Sequence, residues 1–522
     1  MRHDLPRQRP ASGSDTQTPP ASQGRAPGPA RNRAPVYTHT RRLLAVLLCI
    51  LCTALPGLPL ARALDVQLPE MGDPADTVLS PSEERKLGAI IEAQIRNQMP
   101  VLEDPELETY VSGLGQRLIT AALDTDLRFR FLVLRSPTIN AFATPGGVVA
   151  VNTGLIEAAH TESELAGVIA HEIAHVSQHH MARMIAESRQ VTVATALGLL
   201  AAIAIGVAGG GNAGAAALQG TMAASAQAQL AFSRNYEREA DRVGMQLLTA
   251  SGYDPEGMPD FFERLQRQNQ LNAGPTLEFL STHPLTLDRI SDTRNRAEQL
   301  KRSAKDRVVA DRPEFHFAKA RVRALTNPPG RIIARRDQAD TPADRYMLAV
   351  AYLRDGRPEK AARILQRLRN TVPDNLWVQL ALARAWMDLG RYREADRLLG
   401  HIDTLYPNLE AVVYYRVRSL LRQRRAGEAL TLLQGFGQRR ALSPYLLRLE
   451  AQAATATGKP WLAHEALADF HTAYGQYGAA LEQLELALKS KGIDPVSQAR
   501  VRSKRKEITA LRARDERDKN RH

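Results

Sequence analysis

His171-Glu172-Ile173-Ala174-His175 and, further along, Glu237-Arg238-Glu239-Ala240-Asp241 restrict the fold more than any other feature of this sequence. Positions four apart on a helix lie one turn above each other, so His171 and His175 share one face, as do Glu237 and Asp241. Two imidazoles at that spacing can hold one Zn²⁺, but a catalytic zinc takes three protein ligands and keeps one position open. The spacing therefore predicts two helices, with Glu237 supplying the third ligand. Asp241, one turn on, is placed to accept a hydrogen bond from a ligand histidine, which fixes its tautomer and raises its basicity. Glu172 can reach a water at the metal and is the candidate general base.

The flanking sequence agrees with this. Thr161 and Glu164 form a capping-box signature, and the apolar run from Leu165 to Ala170 leads into His171. The second helix is expected from about Gln227 to Leu248. A longer pattern with a third histidine fails, because Gln178 and Met181 stand where the glycine and that histidine would be. His179 and His180 read as surface or packing histidines, and Glu239, on the other side of its helix from Glu237, as a structural carboxylate.

Composition sets the compartment. Residues 1–40 are rich in Pro, Ser, Gly and Arg and read as disordered, whereas Arg41-Arg42, the apolar run from Leu43 to Leu60 and Ala61-Arg62-Ala63 have the order of a secretory signal peptide. Export with cleavage near Ala63 is the expectation, and an uncleaved membrane anchor is the alternative. Both cysteines, Cys49 and Cys52, fall in that leader, so thiolate ligands and disulfides are excluded from the exported part. Removing the nine arginines and two aspartates of residues 1–63 reduces the net charge from +13 to +6. That surplus suits solubility, or peripheral contact with an anionic membrane surface, better than nucleic-acid binding.

A mainly helical α+β fold follows from the pass along the chain. Ser80-Pro81-Ser82-Glu83 opens a helix that runs to Met99, and Leu127 to Leu134 alternates as a strand. Segments 139–143 and 148–151 flank Pro145-Gly146-Gly147 and suggest a hairpin. In it Asn140, Ala141, Phe142 and Ala143 could form an edge strand that pairs with an extended peptide, although a purely structural hairpin is equally compatible. No charged residue occurs from Gln190 to Ser233. Its glycines favour a buried or membrane-touching helical hairpin that lids the cleft over a membrane-spanning one. His283, in Ser281-Thr282-His283-Pro284, is a candidate fourth ligand or oxyanion donor.

The last third repeats itself. Tyr352 and Trp386, Gly356 and Gly390, Ala361 and Ala395, Leu365 and Leu399, and Pro373 and Pro407 are each separated by 34 positions. That is the tetratricopeptide period, and stacked helix pairs present a concave surface for a partner protein. A third unit continues at Ala429, with degenerate ones around Gly458 and Gly478. The expected organisation is a leader at 1–63, a zincin-like (gluzincin) peptidase domain with a small β-hairpin or sheet at 64–310, a linker at 311–340, a tetratricopeptide α-solenoid at 341–492 and a charged tail at 493–522.

Four segments carry a family resemblance: Asn-Ala-Phe-Ala-Thr-Pro-Gly-Gly from Asn140, the segment at His171, that at Glu237, and Thr-His-Pro-Leu-Thr from Thr282. Together with the repeats they make residues 64–489 similar to the HtpX/BepA-type zinc metallopeptidases, and most of all to the exported, repeat-bearing BepA-like group. The resemblance implies one Zn²⁺ per chain, Glu237 as third ligand and His283 as a fourth, inhibitory one. It further implies a periplasmic location in a Gram-negative bacterium, peripheral to the outer membrane, with outer-membrane proteins as substrates. The repeats would then touch the outer-membrane barrel assembly machinery. A chaperone or assembly scaffold with little proteolysis is the competing class.

Overall fold

The computed structural model describes residues 81–122, 127–187, 234–271, 277–303 and 312–519. The leader and signal peptide expected at 1–63, and the lid expected between Gln190 and Ser233, lie outside the described residues. Among those described, no helix is long and apolar enough to cross a membrane.

The half of the described chain that precedes the repeats is built around a three-stranded sheet and one buried helix. Strands β1 (Arg130–Leu134), β2 (Ala141–Thr144) and β3 (Val148–Asn152) lie in the order β1-β3-β2. β1 runs parallel to β3 with Arg130 opposite Val148, and β2 runs antiparallel to β3 with Ala141 opposite Val151. β2 is thus an edge strand of this sheet. Gly146 and Gly147, at φ +79° and +80°, make the hairpin turn, a backbone region that a side chain would strain. Two helices, α1 (Pro81–Gln98) and α2 (Pro105–Ala122), precede the sheet.

α3 (Thr153–Ala158) leaves β3, and α4 (Glu162–Ser177) follows. Leu165, Val168, Ile169, Ile173 and Val176 are all buried, together with both histidines of the motif. The helix is buried on every side, its apolar residues in the core and its polar ones held by partners within it. At its start the Thr161 side chain accepts from the Glu164 backbone N–H at 3.1 Å. The Glu164 carboxylate reaches one residue further back than a capping box requires, to the His160 backbone N–H at 2.5 Å, and is also paired with Arg264.

After α5 (His180–Glu187), the helix α6 (Arg234–Ala250) lies against α4, then come α7 (Gly257–Leu271), α8 (Glu278–Thr282) and α9 (Leu287–Ser303). Gly244 makes the contact close: a Cβ there would stand 3.0 Å from the His171 backbone nitrogen and 3.1 Å from the Met258 methyl.

The span read as a linker is mostly helical. α10 (Glu314–Thr326) buries Phe315, Phe317 and Val322 in the same core as the sheet and the first repeats. Its buried Arg321 pairs with Asp104 and Glu106, each at 2.8 Å, and carries the peptidase half into the repeats without a loose joint.

The repeats are helix pairs. Left-handed residues that join the two helices of each pair stand at Gly356, Gly390, Arg424, Gly458 and Gly492, again 34 positions apart. The fifth pair consists of Tyr477–Lys489 and Pro495–Lys519, so the segment read as a charged tail is a helix. It packs because Val501 and Ile508 are buried against Ala480 and Leu484.

Candidate metal centre

α4 and α6 bring their motifs face to face. His171, His175, Glu237 and His283 each offer a ligand atom within 4.8 Å of all the others, and all four side chains are buried. His171 Nε2 and His175 Nε2 are 3.1 Å apart, and each is 3.5 Å from a Glu237 oxygen. His283 Nδ1 lies 3.1 Å from Glu237 Oε1 and 3.3 Å from His171 Nε2. Four ligands placed about 2.0–2.1 Å from a tetrahedral zinc are about 3.3–3.4 Å from one another. The separations quoted fall close to that spacing, with His171 nearest one Glu237 oxygen and His175 and His283 nearest the other, so the group can gather round one ion, and neutral imidazoles with a carboxylate are the donor set that such an ion takes.

The electrostatics point the same way. Burial works against a charged His171, yet Asp241 and Glu237 outweigh it and raise this imidazole to about 9. Burial, and then the neighbouring imidazoles, push His175 well below its usual range. Burial opposes ionisation of Glu237, but the surrounding histidines hold it ionised, well below the usual carboxylate range. The pocket is organised around a positive charge among these atoms.

Asp241 Oδ1 lies 3.1 Å from His171 Nδ1, the position from which a carboxylate orients a ligand imidazole. Arg289 then holds both acids of α6. Its guanidinium pairs bidentately with Asp241 at 2.8 Å and reaches Glu237 at 2.6 Å, while lying 5.5 Å over the Phe262 ring. Sequence reasoning passed over Arg289, whose signal was a single arginine six residues beyond His283.

Glu172 is buried one residue past His171, and burial raises its carboxyl. Among the described residues its Oε1 has no hydrogen-bond partner, and it faces His283 Nε2 at 3.4 Å. The backbone N–H of Ala143 reaches the same carboxylate, so the edge strand runs directly past the candidate base. Of the expected edge-strand residues, Ala141 is buried, Phe142 and Ala143 are half-buried, and Asn140 donates to Glu278 on α8 at 2.5 Å. α8 leads into His283, so the strand and the histidine segment are tied together.

His179 and His180 part company. His179 has a left-handed backbone, φ +52°, and lies with Nδ1 3.5 Å from Glu84. His180 is fully buried, its Nδ1 3.0 Å from His175 Nδ1 and its Nε2 3.3 Å from Glu239 Oε2. Burial pushes its imidazole down to about 4. The reading of His180 as packing missed that it touches a candidate ligand.

Comparison with known proteins agrees with these two halves. Peptidase family M48 matches residues 105–297, and a tetratricopeptide repeat matches residues 352–413. The chain is 32% identical over 340 residues to the beta-barrel assembly-enhancing protease of Escherichia coli, covering 63% of this chain and 68% of that one. With the protein of the same name from Yersinia pestis it shares 31% over 336 residues, covering 63% and 68%. A mitochondrial metalloendopeptidase OMA1 of Schizosaccharomyces pombe is 34% identical over 181 residues, 35% of this chain and 50% of that protein.

Proposed function

This chain belongs to peptidase family M48, beside the beta-barrel assembly-enhancing proteases, and is a metallopeptidase; we propose that it is an exported zinc metalloendopeptidase that cleaves misassembled outer-membrane proteins and assists their assembly in the periplasm. The observation that carries this reading is the buried group of His171, His175, Glu237 and His283 at tetrahedral spacing, with Glu172 alongside. The client class comes from the names of the relatives.

His171, His175 and Glu237 would hold the ion. Bound there, zinc supplies Lewis-acid chemistry, polarising the scissile carbonyl and acidifying a water. Glu172 removes the proton of the attacking water on its carboxylate and delivers it to the departing amine nitrogen. β2 aligns the substrate backbone: its free edge passes Glu172 at Ala143, so a paired peptide would lie across the reacting groups. His283 occupies the fourth position, and cleavage requires it to move away. That arrangement favours a protease silent at rest, and it is the one observation that lends weight to the second reading, a scaffold acting mainly through its repeats.

The repeats supply a place for partners, among them the outer-membrane barrel assembly machinery. Between α1, β1 and the inner face of the repeats lies a groove of about 1590 Å³, lined by Arg96, Phe129, Arg440 and Leu447 among others.

Glu172→Gln and His283→Ala, each in the full chain, test this. Glu172→Gln should retain zinc and lose hydrolysis of an unfolded outer-membrane protein by at least about a hundredfold. Undiminished cleavage in that variant would exclude the mechanism. His283→Ala should cleave faster than wild type, and an unchanged or slower rate would mean that His283 is not a plug. Full biological activity of Glu172→Gln would instead select the scaffold.

A further inference from the structure

The two histidine ligands are held in unlike ways. His171 is oriented by a carboxylate, Asp241, at 3.1 Å. Beyond His175 Nδ1 there is another imidazole, that of His180, at 3.0 Å. His180 is fully buried, lies 4.8 Å from the Tyr236 ring, and turns its Nε2 to Glu239 at 3.3 Å. Glu239 accepts in turn from Arg183 at 3.1 Å.

The protons of this chain can be arranged in only one way when a metal is bound. A metal on His175 Nε2 leaves the proton on Nδ1, which must donate. His180 Nδ1 must then accept, so its own proton sits on Nε2 and is donated to Glu239. The carboxylate accepts from both His180 and Arg183, so no group is left unsatisfied.

The backbone is bent to achieve this. On an unbroken helix a residue five positions after His175 would lie about 140° round the axis. α4 instead ends at Ser177, and His179 adopts φ +52°, which starts α5 in a new direction and returns His180 to the face of His175. A left-handed non-glycine residue is a strained choice that persists where surrounding structure enforces it.

We propose that His180 is the orienting partner of His175, anchored by Glu239 and Arg183, so that the chain holds its second histidine ligand through an imidazole–carboxylate relay. This rests on the assignment of His175 as a zinc ligand. His180 is a positioning residue, acting through His175 and touching neither substrate nor ion.

The test is zinc affinity of the full chain, measured by competition with a chromogenic chelator alongside the melting temperature of the metal-free protein. His180→Phe keeps a ring and removes the acceptor. His180→Asn returns an acceptor oxygen near the Nδ1 position. The expectation is a loss of about 10–100-fold in zinc affinity for His180→Phe with metal-free melting unchanged, and recovery of most of that affinity in His180→Asn. Wild-type affinity in His180→Phe would overturn the proposal. Equal losses in Phe and Asn variants would also overturn it, since packing would then be the role. Should His180→Phe fail to fold, Glu239→Leu decides: it leaves the ring in place and removes the acceptor of its Nε2–H, and zinc affinity equal to wild type would overturn the relay. A wild-type chain that takes up no zinc removes the site assignment itself, and the relay with it. Zinc uptake indifferent to all three variants removes the relay alone.

Discussion

At His171 two influences oppose each other, and the outcome controls how the ion is taken up. Burial favours the neutral ring, while hydrogen bonds and charge from Asp241 and Glu237 favour the imidazolium and raise it to about 9. A metal has to displace that proton. The metal-free protein holds more protons than the loaded one at any pH below about 9, so loading releases a proton and affinity increases with pH. Zinc affinity should rise about tenfold per pH unit between pH 6 and 8 and level off near 9. Chelator competition at several pH values, with proton release measured in two buffers, checks this. A flat profile would mean that His171 is already neutral before loading. The candidate ligands His171, His175 and Glu237, which the fold brings together, were legible in the sequence because one helical turn separates His171 from His175 and Glu237 from Asp241. Arg289 and His180 were not. Arg289 acts across the fold from α9, and His180 reaches His175 only because the helix breaks at His179, which no periodicity announces.

Between elements, the quality of the site depends on how closely α4 and α6 approach. Gly244 stands against the backbone of His171, and the methyl of Met258 closes the other side. A valine there would meet main chain that cannot yield like a flexible side chain, so the helices have to separate and Glu237 must retreat from the histidines. Gly244→Val is expected to lower zinc affinity by at least about tenfold, with Gly244→Ala intermediate, since misplacing a site by about 1 Å is enough to spoil it. Zinc titration of the three proteins measures it, and equal affinities would show that the helix spacing is set elsewhere. The sequence described these elements unevenly. The hairpin, α1 and the first repeats were readable from turn glycines, a proline at N1 and five matched offsets. The third repeat was read from Ala429 and not from a turn glycine, because Arg424, at φ +61°, takes the left-handed position that glycine marks in the others. The last helix was hidden by its composition: its basic residues mask Val501 and Ile508, which are sufficient to seat it on the fifth pair.

Across the whole molecule, the acidic turn that opens α2 fastens the peptidase half to the repeats. Glu103 binds Arg448 and Tyr474, while Glu106 accepts from Tyr346 and Tyr415 and pairs with Arg321. Two residues after Glu106, Glu108 sits in the same junction with less support. Burial, assisted by the nearby Glu410 and opposed by Arg96, raises its carboxyl from 4.5 to about 8. A carboxyl whose folded value exceeds the unfolded one binds protons more tightly when folded. Its contribution is therefore complete below about pH 4.5 and is lost as pH rises to about 8. Glu108→Gln keeps the shape and removes the titration. The variant should match wild type at pH 5 and exceed it at pH 8 by on the order of 3 kcal/mol. Urea midpoints of both full chains at the two pH values decide this. An equal shift at both would assign the effect to hydrogen bonding of the amide, and no shift would mean that Glu108 is already ionised in the folded chain. If the difference appears, the halves are held together less tightly as pH rises, and the contact that fixes the repeats against the half carrying the candidate metal centre is itself sensitive to protons.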